Sequence, residues 1–320
     1  MSVSLVTVTH NRKDYLLDLL ESAYGGTLVP DEVIVVDNAS ADKTAAAVRR
    51  RFPSVRLIEN STNRLVSAAF NSGLACASGD FLIAIADDNV LASDCIEQLV
   101  DGALRHPEAG AIGPTMYYFD APDKVWFAGI RLSLTTGHTA FRQLASTTDD
   151  GVVETDCIPN CLLITRRALE TVGFLDENAF PMHHEEADYC LRCRHAGLKV
   201  YVALRAREWH RVEVPRRWVW IGSGDFNIDD PMRAYYNARS RVFLAKRHAS
   251  RTQLLVYACV FLPLFTCAYM IISILTMSGR RGGDVAAAFL RGTIHGIAER
   301  VPPYASPRVA GEELLQSAVQ

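Results

Sequence analysis

The sequence has little of what a nucleic-acid partner would need. Net charge is −3 over 320 residues, from 33 Lys and Arg against 36 Asp and Glu, and there is no basic tail. That balance excludes a nucleic-acid footprint, so no nucleic acid is expected among the partners. No G-x-x-x-x-G-K-[ST] loop occurs, and no G-x-G-x-x-G follows the first apolar run. Both missing patterns exclude the corresponding phosphate-binding loops. No period repeats along the chain and there is no low-complexity tract, which excludes solenoid arrays. The opening MSVSLVTVTHNR has no basic n-region and reads as a first strand rather than a signal peptide. Eight cysteines, at 76, 95, 157, 161, 190, 193, 259 and 267, lie mostly inside apolar segments. Without a secretory signal they are expected to be reduced core thiols. Cys157-x3-Cys161 and Cys190-x2-Cys193 have the spacing of zinc half-sites. One pair flanks an apolar strand and the other falls within a helical pattern, so structural zinc is not expected.

What is present is an ordinary globular composition, 49% hydrophobic and 22% charged, with enough apolar residues for a sizeable core. The length allows one large domain or two small ones. The most informative stretch is Phe81 to Asp88, FLIAIADD, in which six apolar residues run into two carboxylates. Such a run, bounded by turn signals, predicts a strand buried on both faces. Ligands of open α/β sheets bind beyond the carboxyl ends of the strands. Asp87 and Asp88 at such an end suit a hard cation that in turn holds a phosphate. They equally suit caps for a following helix at about 93–105.

Around this stretch the elements alternate. Strands are predicted at Val3–Val8, Glu32–Val36, Val55–Glu59 and Phe81–Ala86. Helices are predicted at Lys13–Tyr24, Asp42–Phe52, Leu65–Ala77 and Cys95–Arg105, and a short strand at Gly110–Gly113. Alternation of this kind predicts a parallel sheet with right-handed crossovers. After residue 113 it weakens. Residues 114–155, with Trp126-Phe127-Ala128-Gly129 and a polar stretch at Ser146 to Gly151, read as loops and irregular strands that shape a substrate site. A strand is expected at Ile158–Thr165, a helix at Arg166–Val172, a helix from about His184 to a C-cap at Gly197, and a strand at Lys199–Ala203.

Six segments in order resemble glycosyltransferase family 2, the inverting nucleotide-sugar enzymes, and most of all its rhamnosyltransferase and galactofuranosyltransferase-like branch. They are VTVTHNR (6–12), VIVVDNASADKT (33–44), NRLVSAAFNSG (63–73), SGDFLIAIADD (78–88), CLLITRRALETVGFLDE (161–177) and HEEADYCLRCRHAG (184–197). The resemblance covers about residues 1–250. It implies an α/β GT-A nucleotide-sugar-binding fold, Rossmann-like with a mostly parallel sheet. Thr9, Asn11, Asp37, Asn71, Asp87 and Arg239 would be donor-binding residues. Asp88, on the last Asp of the family's D-x-D motif, and His210 would hold a divalent metal, Mg or Mn. Glu186 would be the catalytic base, with Glu185 before it. Trp126, His183, His184 and Glu185 would lie on the acceptor side. The chain departs from the pattern where Ala86 replaces the first Asp or Asn of D-x-D, where Leu65 replaces a Gly, and where Ser240 follows Arg239 in place of Asn.

The chemistry needs these residue types. An inverting transfer is one in-line displacement at the anomeric carbon, so the acceptor hydroxyl must give up its proton to a nearby carboxylate. The leaving nucleoside diphosphate gathers charge that cations stabilise. Glu185, Glu186 and Asp188 would also suit a helix N-terminus on macrodipole grounds alone.

Leu254 to Met277 is a run of 24 residues without a charge. As a helix it would extend about 36 Å, enough for the ~30 Å hydrocarbon core of a bilayer. Basic residues flank both ends, Arg247, His248 and Arg251 before it and Arg280 and Arg281 after it. They suit a single span, and equally a helix–turn–helix that dips into one leaflet with Pro263 at the bend. Residues 285–300 read as an amphipathic interfacial helix.

The expected organisation is a catalytic domain at 1–215, a linking segment at 216–253, and a C-terminal helical, membrane-associated extension at 254–320. The expected activity moves a sugar from a UDP- or dTDP-sugar, such as dTDP-rhamnose, to a lipid-linked glycan acceptor. The expected place is the cytoplasmic face of the cell membrane, in contact with the membrane surface, and homo-oligomerisation stays open. Two rivals stand beside it: a transferase that charges a polyprenyl phosphate with one sugar, and a catalytically dead nucleotide-sugar-binding protein.

Overall fold

The computed structural model describes residues 1–141, 150–212, 230–277 and 280–300. The expected boundary at 215/216, most of the polar stretch 146–151 and the tail beyond 300 lie outside the described residues. In chain order the elements are β1 (Val3–Thr9), α1 (Lys13–Tyr24), β2 (Glu32–Asp37), α2 (Thr44–Arg51), β3 (Arg56–Glu59), α3 (Leu65–Leu74), β4 (Phe81–Ala86), β5 (Asn89–Leu91) and α4 (Cys95–Arg105). There follow β6 (Ala109–Tyr118), β7 (Ala121–Phe127), β8 (Ile130–Ser133), β9 (His138–Phe141), β10 (Val152–Glu154), β11 (Cys161–Thr165), α5 (Arg166–Val172), α6 (Glu185–His195) and β12 (Lys199–His210). Four helices close the described chain: α7 (Pro231–His248), α8 (Arg251–Val256), α9 (Leu262–Thr276) and α10 (Arg280–Ala298).

The first half follows the sequence closely. β3, β2, β1 and β4 lie side by side in parallel. Their continuous apolar runs fit because helices cover both faces. α3 lies close on this sheet because residue 73 is Gly. A Cβ there would collide with Val6 and come 3.2 Å from Val36. The core is one cluster running from Val3 to Leu244.

The second half departs from the expected parallel order. β11 inserts antiparallel between β4 and β6, so the described ten-stranded sheet is mixed. Antiparallel pairing here needs no crossover helix, so strand–helix alternation could not announce it. β6 is ten residues long rather than a short strand at Gly110–Gly113. The expected loops of 114–155 contain β7, the β8–β9 hairpin and β10. The strand expected to end at Ala203 instead passes a register irregularity between Ala203 and Arg207 and continues to His210. Bulges of this sort re-aim a strand near functional sites, and here the continuation sets His210 opposite Asn89 of β5.

α7 is more than a linker. Its Ala234 and Ala238 cluster with Tyr269, Val285 and Phe289, and its Val242 and Ala245 with Tyr257 and Leu262. The chain stays helical through Pro263. No turn breaks the helix there, and a π-turn at Tyr257–Phe261 precedes it. The wider turn accommodates a residue that lacks an N–H and crowds the preceding turn.

Candidate active site

The carboxyl ends of β1, β2 and β4 meet at one edge of the sheet. Asp87 and Asp88 leave β4 there, and neither caps the next helix, whose N-cap is Asp94. Arg12, just beyond β1, bridges them: its Nη1 donates to Asp87 Oδ1 at 3.2 Å and to Asp88 Oδ2 at 2.8 Å. Across the gap, His210 Nε2 lies 3.2 Å from Asp88 Oδ1. The Trp126 indole stacks on the His210 ring, centroids 4.9 Å apart and planes at 8°. The long β12 thus delivers His210 to the carboxylate, and β7 delivers Trp126 to the face of that ring.

The two aspartates have opposite proton affinities. Burial, with Asp88 beside it, pushes Asp87 up to about 6 although Arg12 opposes the rise. Burial pushes Asp88 up as well, but His210 and Arg12 outweigh it and hold the carboxyl at about 2. Beneath them, fully buried Glu208 is pushed up to about 8, chiefly by burial and further by the charge on Asp88.

The donor set fits a divalent ion only in part. Asp87 Oδ2 and Asp88 Oδ1 are buried, the latter facing His210 Nε2 at 3.2 Å, and carboxylate oxygens with one imidazole suit Mg²⁺ or Mn²⁺. Among the described residues, no group of three His, Cys, Asp or Glu side chains forms a cage. Ala86 supplies no ligand where D-x-D would have one. Ions of this type are usually completed by substrate phosphates and water.

Glu186 opens α6 on the other side of β4. Its Oε1 accepts the Asn160 N–H at 3.1 Å, and the Asn160 carbonyl accepts the Ala86 N–H at 2.9 Å. Two hydrogen bonds therefore connect the Glu186 carboxylate to the residue before Asp87. Asn160 holds φ +63°, a left-handed conformation that Asn tolerates better than most residues. Burial raises the Glu186 pKa, with the Asn160 N–H opposing. Glu185 is buried, and burial with the neighbouring Glu186 charge pushes its carboxyl well up. Asp188 is accounted for by structure. Arg192 Nε at 2.8 Å, Arg247 Nη1 at 3.1 Å and His248 Nε2 at 2.8 Å surround it, tying α6 to α7. His183 and His184 both adopt φ +64° in the turn into α6. His184 lines a groove with Leu132, Gly137, Arg241 and Leu244, between the β8–β9 hairpin and α7.

The remaining predicted residues divide. Thr9 is buried at the end of β1, in register with Asp37. Asn11 Oδ1 accepts the Ala41 N–H at 2.7 Å, and Asp37 Oδ1 accepts the Ser40 N–H at 2.9 Å, so these side chains shape the two loops at that edge. Asn71 does not join them. Its amide donates to Leu175 O and Glu177 Oε2 and accepts from Leu175 N, which orders the segment before α6. Arg239 also lies elsewhere, between Glu299 and the Ala179 carbonyl. Its position in α7, with that helix docked on residues 178–182, is what sequence alone could not give. Leu65, where the family has Gly, holds φ +64°. Asn38 fixes that turn through Asn63 and the Leu65 carbonyl. The cysteines are all free; those at 95, 157, 161, 190 and 193 are buried as core thiols, whereas Cys76 is half-buried and Cys259 and Cys267 are exposed, against the expectation. Arg12 and Asn160 escaped the sequence reading. Arg12 stands in the quoted VTVTHNR segment, but nothing there marks it as facing β4.

A mixed sheet whose parallel strand ends carry an acidic pair, with a third carboxylate across from it, is a nucleotide-sugar transferase arrangement. The profile of Glycosyl transferase family 2 matches residues 4–173; the chain belongs to that family and is a glycosyltransferase. It is 29% identical over 274 residues to the N-acetylglucosaminyl-diphospho-decaprenol L-rhamnosyltransferase of Mycobacterium tuberculosis, covering 77% of this chain and 84% of that protein. It is 26% identical over 237 residues to the O-antigen biosynthesis protein RfbC of Myxococcus xanthus, covering 70% of this chain and 18% of that one. In fold it is similar to the mannosyltransferase PcManGT from Pyrobaculum calidifontis in complex with GDP-Man and Mn²⁺. That match has a TM-score of 0.57 at 17% identity, over 92% of this chain and 87% of that one. GalNAc-T7 with UDP, GalNAc and Mn²⁺ matches at 0.56 and 15%, over 85% and 58%. The fold is GT-A, as the sequence predicts.

Proposed function

We propose that the protein transfers a sugar, of the deoxyhexose class exemplified by rhamnose, from a UDP- or dTDP-sugar to a glycan on a lipid carrier, with inversion. The observation that carries the reading is the short path from Glu186 through Asn160 to Ala86, beside Asp87 and Asp88. It supports reading a base and a donor-diphosphate site on two sides of one strand end. The mycobacterial relative, matched over most of its length, motivates the rhamnosyl donor and a diphospho-polyprenol acceptor.

Asp88 and His210, with Asp87, would hold a divalent ion, which when bound supplies positive charge to the diphosphate. Arg12 offers a second cation at the same edge. Asp37, Asn11 and Thr9 shape the nucleoside side. The Glu186 carboxylate takes the proton of the acceptor hydroxyl as its oxygen bonds to the anomeric carbon. The bond from that carbon to the diphosphate oxygen breaks, and the nucleoside diphosphate leaves from the opposite face. Burial that raises the Glu186 pKa brings it nearer working pH, where a general base is most effective. Trp126, Glu185, His183 and His184 line the acceptor side, and the enzyme works at the cytoplasmic face of the membrane.

The test incubates detergent-purified protein with UDP- and dTDP-sugars, Mn²⁺, and N-acetylglucosaminyl diphosphate on a short polyprenyl chain. Transfer from dTDP-rhamnose, abolished by chelation, is expected. Transfer only to a bare polyprenyl phosphate would replace the reading with its rival. Neither transfer nor sugar-nucleotide hydrolysis would mark a binding protein.

A further inference from the structure

The helix from Arg251 to Thr276 has its polarity inside out. Its protein-facing side carries Tyr257, Thr266, Tyr269 and Ser273. Its outer side carries Leu255, Val260, Leu264, Ile271, Ile274 and Leu275, with Leu264 63% and Leu275 78% exposed. From Val260 on, these recur three, four or seven residues apart, so they form one stripe. A helix on the surface of a water-soluble protein places its polar residues outward. α10 also turns Leu290, Ile294 and Ile297 outward, while Val285, Phe289 and three glycines face inward. Gly292 and Gly296 let α10 lie directly on α7. A Cβ at Gly292 would collide with the Tyr235 carbonyl, and one at Gly296 would come 2.8 Å from Val242 Cβ.

The direction of this layer follows from what it packs on. Tyr257 and Leu262 meet the last turns of α7, whereas Tyr269 meets Ala234 and Ala238 near its start. α9 therefore runs antiparallel along α7. α7 in turn is fastened to the catalytic domain along its second half, from Arg239 on. Arg239 Nη1 donates to Ala179 O at 3.0 Å, Ser240 Oγ to Met182 O at 3.2 Å, Arg241 Nη1 to Gly137 O at 2.6 Å, and Arg247 pairs with Asp176 at 2.7 Å. The long apolar helix lies flat on the domain rather than projecting from it. To cross a bilayer it would have to take α7 with it, and Arg233, Arg239, Arg241, Lys246 and Arg247 into hydrocarbon, which is costly.

We infer that α8 to α10 form a flat anchor that sinks its outer apolar stripes into one leaflet and does not cross the membrane. Arg251, Arg280, Arg281 and Arg291 are exposed around these stripes, where they meet anionic headgroups. The inference builds on the membrane partner of the proposed function and fixes its geometry. The groove of His184 and Arg241 begins beside this layer, since the Arg241 guanidinium lies 4.1 Å from the centre of the Phe265 ring of α9. A lipid-linked substrate would then enter from the side of the leaflet.

The test places single spin labels on the full chain at Leu255→Cys, Ile271→Cys and Leu275→Cys, with the exposed Cys259 and Cys267 changed to Ser. The protein is bound to phosphatidylcholine vesicles containing phosphatidylglycerol, and depth is read from collisions with oxygen and with a water-soluble nickel chelate. Similar shallow depths at all three positions, all in the protein-side leaflet, are expected. Labels 255 and 275 at opposite interfaces, with 271 on the far side of the bilayer centre, would overturn the inference and leave the proposed transfer intact. No vesicle binding, with concentration-dependent self-association, would assign the stripe to a second copy and also overturn it. Ile271→Arg, at an exposed position, should keep the wild-type circular dichroism and weaken vesicle binding about tenfold or more. Sugar transfer to a short-chain acceptor in detergent reports on the catalytic reading independently of all these outcomes.

Discussion

Neutralising the two adjacent aspartates one at a time should change stability in opposite directions. The Asp87 side chain is 6% exposed and has its pKa raised to about 6, with burial the main cause. In the unfolded chain it returns to the ordinary aspartate value. Well below the ordinary aspartate value both states are protonated and no penalty arises; above pH 6 the fold must hold a charge it disfavours. At ~1.4 kcal/mol per tenfold change in proton affinity, a rise of about two decades costs roughly 3 kcal/mol at pH 7.5. Asp88 has the reverse sign. Its value is held at about 2 because His210 and Arg12 overcome burial. It stabilises the fold by roughly 2.5 kcal/mol, fully present above the ordinary value and lost as pH falls through 2. Asp87→Asn should therefore raise the melting temperature at pH 7.5 and Asp88→Asn should lower it, each by several degrees. The gain in Asp87→Asn should shrink to about 1 kcal/mol by pH 4.5 and vanish only well below the ordinary aspartate value. The assay is thermal unfolding in mild detergent at pH 4.5, 6.0 and 7.5, with and without Mn²⁺. Equal shifts of the same sign, or a pH-independent effect of Asp87→Asn, would refute the electrostatic account. Both variants should also lose any stabilisation by Mn²⁺ with nucleotide, so the more stable protein would be the less active one.

Three further outcomes are expected. Glu186→Gln should bind UDP or dTDP with unchanged affinity by calorimetry and lose about 10²–10⁴-fold in turnover; normal turnover would assign the base elsewhere. Arg12→Met should leave two carboxylates without their shared cation, tightening Mn²⁺ binding in the absence of nucleotide while weakening nucleotide binding. Truncation after residue 250 should not release a well-behaved domain, because it uncovers Ala234, Ala238, Val242 and Ala245 of α7; a monodisperse peak on gel filtration would contradict this.

The sequence by itself determined the first half of the fold and, through a family resemblance, which residues to look for at the site. FLIAIADD has a period and a boundary that only a buried strand ending in a polar edge satisfies, and the structure places β4 at Phe81–Ala86. The resemblance to glycosyltransferase family 2, carried by motifs that each fold locally, named Asp88, His210 and Glu186 as a candidate set. What only the tertiary structure decided depends on contacts between residues far apart in the chain. β11 lies antiparallel between strands it does not adjoin in sequence. The irregularity near Ala203 carries His210 to Asp88, 122 positions earlier in the chain. Asn160 joins Glu186 to β4 through backbone groups that leave no trace in side-chain pattern. Asn71 and Arg239 carry the right residue types in the right motifs, yet their hydrogen bonds hold neighbouring segments. Composition announced an apolar helix at 254–277 but not its direction, because charge and hydropathy are the same for a helix that stands in a bilayer and one that lies on it. The packing of Tyr257 and Tyr269 on opposite ends of α7 supplies that direction.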